Sequence, residues 1–219
     1  MMTHPHWTFT DGRSLPVGTM FGIGRNYAAH AREMGATVPD DPIVFLKPPA
    51  AYLPSNSIVH LPSWSTSIHH EAELVVVIGT DAVDVDEDRA WDVVAGVGIG
   101  LDLTARDIQA AAKAAGHPWA VAKAWRGSAP VGDIVPLDRA GRGPWDILCE
   151  VNGAVRQHAS TALMERSVPT LIAFLSRVFT LRAGDAILTG TPEGVGPVAH
   201  GDAVMCRLDN IASLSVTIA

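Results

Sequence analysis

The chain has 219 residues, 47% of them hydrophobic and 18% charged, with a formal net charge of −7 at pH 7. That apolar share excludes low-hydrophobicity disorder, and at roughly 150 residues per domain the length suits one domain with a sizeable core. The acidic balance argues against nucleic acid or an anionic membrane as a partner, because both need a basic face.

In chain order, the start carries no apolar run of the signal-peptide kind, and residues 1–17 read as a short leading segment of a single domain spanning 1–219. Short apolar runs between Gly and Pro predict strands over 19–23, 43–46, 74–78, Val94–Leu101, Asp146–Val151 and Ala186–Leu188. Residues 203–208 and 214–218 form a closing hairpin around Asp209-Asn210. Helical periodicity appears over 27–34, with Asn26 as N-cap and Gly35 as its stop. It appears again over 104–115, ended by Gly116, and over 169–179, with a stripe at Leu171, Ile172, Leu175 and Val178. Loops are expected at 35–42, 54–57, 62–67, 137–144 and 190–197. Strands outnumber helices and do not alternate with them, so the class is α+β and mostly β. No apolar run reaches the ~18 residues of a membrane span. Cys149 and Cys206 lack metal-ligand spacing and cannot build a disulfide framework; they read as core residues of a reduced, cytoplasmic protein.

The run His69-His70-Glu71-Ala72-Glu73-Leu74-Val75-Val76-Val77-Ile78-Gly79 carries the most chemistry. Residues two apart in a strand share a face, so Glu71 and Glu73 point the same way. Further along, both faces are apolar, as in a strand buried on both sides. Two like charges at the mouth of such a strand repel each other and resist desolvation, and a divalent cation removes both problems. Asp102, at the end of the second apolar strand, offers a third carboxylate. Oxygen donors suit Mg²⁺ or Mn²⁺ better than Zn²⁺. The alternative is an edge strand with Glu71 and Glu73 in water, and Asp102 capping the next helix. His70-Glu71 does not begin a zincin motif, since Leu74 stands where a second histidine would be.

Arg106 and Gln109 lie three apart near the start of the second helix, where an arginine can grip a substrate carboxylate. Asp107 and Lys113 belong to the competing picture, an ordinary solvated helix face. His30 and Glu33 are likewise three apart; either the pair decorates a surface helix, or the carboxylate on the imidazole N–H fixes its tautomer and leaves the other nitrogen basic. Gly22-Ile23-Gly24-Arg25-Asn26-Tyr27 fails as a dinucleotide fingerprint because Tyr27 replaces the third glycine. The glycine-rich run 190–197 lacks the Lys of a P-loop, yet its backbone and the Thr191 hydroxyl suit an anion as well as a tight turn. Lys123, among apolar neighbours, is either a partly desolvated ammonium seeking an anion or a snorkelling surface lysine. Trp119 and Trp125 read as core or interface.

Together these segments resemble the fumarylacetoacetate hydrolase superfamily, and within it the small acylpyruvase members. The resemblance runs from Gly24-Arg25-Asn26-Tyr27 through Phe45-Leu46-Lys47-Pro48, His69-His70-Glu71-Ala72-Glu73-Leu74 and Leu101-Asp102-Leu103-Thr104-Ala105-Arg106-Asp107. It continues through Pro118-Trp119 to Leu188-Thr189-Gly190-Thr191-Pro192-Glu193-Gly194-Val195-Gly196-Pro197. It implies a mixed β-sandwich or roll with a few short helices, like the C-terminal domain of that superfamily, and a homodimer. It also implies Mg²⁺ or Mn²⁺ on Glu71, Glu73 and Asp102, and a lid around 25–42 that brings in His30 and Glu33. Lys123 matches the active-site lysine; Arg25, Arg106, Gln109 and Thr191 fall at substrate-contacting positions. One stretch departs: relatives follow the lysine with Ser or Ala, then Phe, whereas here Lys123 precedes Ala124-Trp125-Arg126-Gly127. The implied activity is C–C hydrolysis of a small 2,4-dioxo acid, such as acetylpyruvate or fumarylpyruvate. Oxaloacetate tautomerisation or decarboxylation at the same enolate-stabilising site is the alternative, and a silent dicarboxylate-binding module is a third.

Overall fold

The computed structural model describes residues 4–219, so residues 1–3 of the leading segment lie outside the described residues. The chain begins with a ribbon of β1 (His6–Thr8) and β2 (Ser14–Pro16). β3 (Met20–Gly24) leads to α1 (Ala28–Glu33), and an irregular stretch then reaches β4 (Ile43–Lys47). Three short strands follow, β5 (Tyr52–Pro54), β6 (Ser57–Val59) and β7 (Ile68–His70), ahead of the long β8 (Ala72–Ile78). β9 (Val94–Leu101) and β10 (Thr104–Ala105) precede α2 (Arg106–Ala115) and α3 (Ala120–Lys123). Next come β11 (Ala129–Val131), β12 (Val135–Pro136), α4 (Leu137–Ala140) and the hairpin of β13 (Asp146–Val151) with β14 (Ala154–Ser160). α5 (Val168–Val178), β15 (Ala186–Leu188) and β16 (Gly196–Val198) lead to the closing hairpin, β17 (Ala203–Leu208) and β18 (Ala212–Ile218).

The largest sheet has the order β4-β3-β15-β8-β9-β11-β5, with β12 also on β9; a second runs β14-β13-β17-β18-β6, and a small third β10-β7-β16. The first two are mixed: β15 runs parallel to β3, β11 to β5 and β18 to β6. β8 therefore lies mid-sheet, and its alternation sorts residues between two cores. Leu74, Val76 and Ile78 join the main core with Cys149, Cys206 and Leu214, while Val75 and Val77 join a smaller one with Trp7, Met20 and Val131. The strand is thus buried on both faces, as its sequence predicts, and each of these side chains contributes about 1.5–3 kcal/mol by leaving water. The leading segment is part of this packing, with Trp7 and Phe9 buried in the smaller core. The fold is mostly β with short helices, as expected.

Several local expectations are corrected. Asn26 does not cap α1, whose N-cap is Tyr27 with no side-chain bond. Its amide nitrogen instead donates to the carbonyls of Arg166 (3.0 Å) and Thr189 (2.9 Å), and its Oδ1 accepts from the Arg166 N–H. Three tertiary bonds outweigh one local cap. The second helix starts at Arg106, two residues late, because Thr104 and Ala105 pair with His69 and Ile68. Gly116 ends it in the left-handed region, φ 68°. The expected loop 137–144 contains α4, and β8 begins at Ala72, two residues early, which places Glu73 within the strand.

Candidate active site

Register brings the carboxylates together. β8 and β9 are antiparallel with Ala72 opposite Leu101 and Glu73 opposite Gly100. Glu71 and Glu73 thus flank the first residue of one strand, and Asp102 follows the last residue of the other. The Asp102 N–H donates to the Glu71 carbonyl at 2.8 Å and closes the corner. All three side chains are buried, and each offers an oxygen within 4.8 Å of the others'. Neither the edge strand in water nor the helix cap fits this geometry, since α2 is preceded by Ala105.

Three cations converge on the same corner. Lys123, on α3, lies 2.6 Å from Glu71 Oε2, also contacts Asp102 Oδ2, and donates to Thr104 Oγ1 at 2.7 Å. Arg106 contacts Glu71 Oε1 and donates to Gln109 Oε1 at 2.7 Å. Lys47, fully buried at the end of β4, places Nζ 2.7 Å from Asp102 Oδ1 and donates to the carbonyl and hydroxyl of Ser128. The sequence reading gave Lys47 no role. Its signal was the strand phase: Phe45 and Lys47 share the buried face while Leu46 points out.

Charges here are unequal in their support. Burial, reinforced by Asp102 and Glu71, pushes the Glu73 carboxyl well above the usual carboxylate range. Burial also raises Asp102 despite Lys123 and Lys47. Against the same burial, Lys123 and Arg106 hold Glu71 below its ordinary value. Glu73 accepts only the Gly190 N–H, at 2.8 Å, and has no cation within salt-bridge reach among the described residues. Asp102 Oδ1 makes no aligned hydrogen bond although Lys47 is near. Glu71, Glu73 and Asp102 thus form an all-oxygen group able to hold a hard divalent ion, and the residues fit one.

Opposite this corner stands α1. His30 Nδ1 lies 3.2 Å from Glu33 Oε2, and Glu33 accepts the Gly194 N–H at 3.1 Å. The Nδ1 contact assigns the proton to that nitrogen and leaves Nε2 as the base. Gly194 takes φ 90°, and a Cβ there would strike the Arg156 carbonyl oxygen, so only glycine can present this N–H. Of the predicted residues, His30, Glu71, Glu73, Arg106, Gln109 and Lys123 line one pocket, together with Arg25 and Thr191. Glu33 stands behind His30, and Asp102 behind Lys123.

Hydrogen bonding narrows what each side chain can donate. The three Lys123 hydrogens all have acceptors, whereas the Gln109 amide nitrogen has no acceptor among the described residues. The Thr191 hydroxyl donates to the Ala72 carbonyl at 2.9 Å and accepts from Gln157 Nε2 at 2.7 Å, so its hydrogen is committed within the chain. Gln157, on β14, was missed. Its Oε1 accepts the Ala72 N–H at 3.0 Å and faces His70 Nδ1 at 3.1 Å; its nitrogen also reaches the Pro192 carbonyl. Ala72 sits between the two glutamates, so Gln157 and Thr191 fix both peptide planes that carry them. The departing stretch after Lys123 turns away from the pocket: Trp125 is buried in the main core, while Trp119 is the tryptophan that lines the pocket.

Two outcomes follow. Glu73→Gln raises the melting temperature of chelator-treated protein, by removing like-charge repulsion, and lowers Mn²⁺ affinity by about 100-fold or more. A lower melting temperature with unchanged Mn²⁺ affinity contradicts the assignment. Gln157→Met keeps side-chain length but strands the Ala72 N–H; it costs about 1–3 kcal/mol by urea denaturation and weakens Mn²⁺ binding about tenfold. Lost stability with intact Mn²⁺ binding shows that the clamp does not reach the glutamates.

The chain is similar to known proteins along nearly its whole length. The chain is 40% identical over 213 residues to the oxaloacetate tautomerase YcgM of Escherichia coli, covering 95% of this chain and 96% of that one. It is 41% identical over 197 residues to the mitochondrial oxaloacetate tautomerase of Homo sapiens, covering 90% and 89%. A crystal structure of fumarylpyruvate hydrolase from Pseudomonas aeruginosa, in complex with Mn²⁺ and pyruvate, superposes with a TM-score of 0.96 at 36% identity, covering 100% and 97%. Residues 19–219 match the fumarylacetoacetate (FAA) hydrolase C-terminal family, and the chain belongs to it.

Proposed function

We propose that this chain is a divalent-metal-dependent hydrolase that cleaves the C–C bond of 2,4-dioxo acids, acylpyruvates such as acetylpyruvate or fumarylpyruvate, to pyruvate and a carboxylic acid. The observation that carries this reading is a His30–Glu33 base pair facing a buried three-carboxylate corner across one pocket. Mg²⁺ or Mn²⁺ held by Glu71, Glu73 and Asp102 supplies Lewis-acid stabilisation of negative charge developing on a 2-oxo acid. Arg106 holds the substrate carboxylate. His30 Nε2, with Glu33 steadying its ring, takes a proton from water, and the hydroxide adds to the C4 carbonyl. The free Gln109 amide donates to the resulting oxyanion, and Lys123 keeps Glu71 and Asp102 in place. Collapse breaks C3–C4, its electron pair leaves as the pyruvate enolate, and the proton on His30 returns to C3.

In this reading residues 25–42 are a lid. Its hinge is Arg25, at φ 58°, followed by the clamped Asn26; its latches are Glu33 on Gly194 and the Arg166 guanidinium on the carbonyls of Pro39 and Asp40. The working form is a homodimer by family resemblance, and the two reduced, buried cysteines support a cytoplasmic location. Among the described residues no helix is long and apolar enough to cross a membrane.

Oxaloacetate tautomerisation is the second reading, favoured by the relatives of that name. It needs His30 to move a proton but needs no attacking water. A paired assay with Mn²⁺ separates the two. Pyruvate release from acetylpyruvate establishes hydrolysis, enol decay of oxaloacetate without pyruvate establishes the tautomerase, and pyruvate with CO₂ establishes a decarboxylase. His30→Ala lowers turnover by about 100-fold or more and keeps Mn²⁺ affinity; loss of Mn²⁺ binding contradicts its role as base.

A further inference from the structure

Arg106, Gln109 and Lys113 stand at i, i+3 and i+7 on α2, which sets them along one face. Sequence alone places Lys113 in the competing picture of a solvated helix face. In the structure its Nζ lies 5.0 Å from the centroid of the Trp119 ring, and Lys113 lines the same pocket as His30 and Arg106. Trp119 packs in turn on Phe45, with ring centroids 6.2 Å apart, and Phe45 lies under Lys123. An exposed lysine is thereby held at the outer end of the pocket by an aromatic that is itself fixed.

Charge is distributed unevenly along this pocket. At depth, all three cations are paired, Lys47 with Asp102, Lys123 with Asp102 and Glu71, and Arg106 with Glu71. At the outer end stand Arg25 and Lys113, and among the described residues neither has a carboxylate within 4.0 Å. Partial burial and the charges of Arg106 and Arg25 press the Lys113 ammonium below its ordinary pKa, a cost that an arriving anion relieves.

We infer that Lys113, with Arg25, forms a subsite for a second carboxylate, so that the site prefers dicarboxylic over monocarboxylic 2-oxo acids. This rests on the 2-oxo-acid reading above and adds to it the residue that selects among such acids. Gln109, between Arg106 and Lys113 on the same helix face, lies between the two carboxylate grips.

The test is calorimetric titration of the Mn²⁺-loaded protein with 2-oxoglutarate and with 2-oxopentanoate, acids of equal chain length that differ in the distal carboxylate. The diacid binds about tenfold more tightly to the unaltered protein. Lys113→Met brings the ratio close to one without changing Mn²⁺ affinity, and Lys113→Arg restores it. Equal affinities in the unaltered protein, or an unchanged ratio in Lys113→Met, overturn the inference while leaving the 2-oxo-acid reading intact. Binding of neither acid overturns that reading, and this inference with it.

Discussion

Three carboxylates buried at the joined ends of two central strands are the constraint on which this molecule turns. Like charges out of water are costly, and the surrounding chain is arranged to tolerate them. Lys47, Lys123 and Arg106 come from three separate elements, β4, α3 and α2, to meet Glu71 and Asp102. Glu73, left with one backbone donor, keeps a demand for positive charge that the protein does not fill from its own side chains. The two-sided burial of β8 gives this corner a rigid floor, and rigidity is what a preorganised site requires.

The proposed base is mounted differently. His30 and Glu33 ride on a six-residue helix that is anchored at Asn26 and meets the 190–197 loop through the Gly194 N–H on Glu33. A helix that short has little stability of its own, so its position depends on those few contacts. On the hydrolase reading, a fixed acidic corner with a basic lid on a short helix would let substrate enter and then complete the catalytic set around it.

The strand phase of Glu71 and Glu73, and Asp102 closing an apolar strand, were legible because period-2 alternation and burial are local properties of a sequence. So were the His30–Glu33 and Arg106–Gln109 spacings, which helix geometry alone places side by side. Lys47 and Gln157 were not. Lys47 meets Ser128 81 residues away, and Gln157 meets Ala72 85 residues away and Thr191 34 away. No local pattern encodes such partners. β14 itself went unread, since its exposed Val155 and buried Gln157 invert the usual alternation. Asn26 misled for the same reason: a residue that caps helices well found better partners across the fold.

The resemblance and the geometry converge on the metal corner from independent directions, one from the order of motifs and the other from register and burial. The most direct test is an anomalous difference map from crystals of this protein grown with Mn²⁺. A single strong peak about 2.0–2.3 Å from oxygens of Glu71, Glu73 and Asp102 is the predicted result. No peak at that corner under saturating Mn²⁺, with Lys123 still seated between Glu71 and Asp102, contradicts the account.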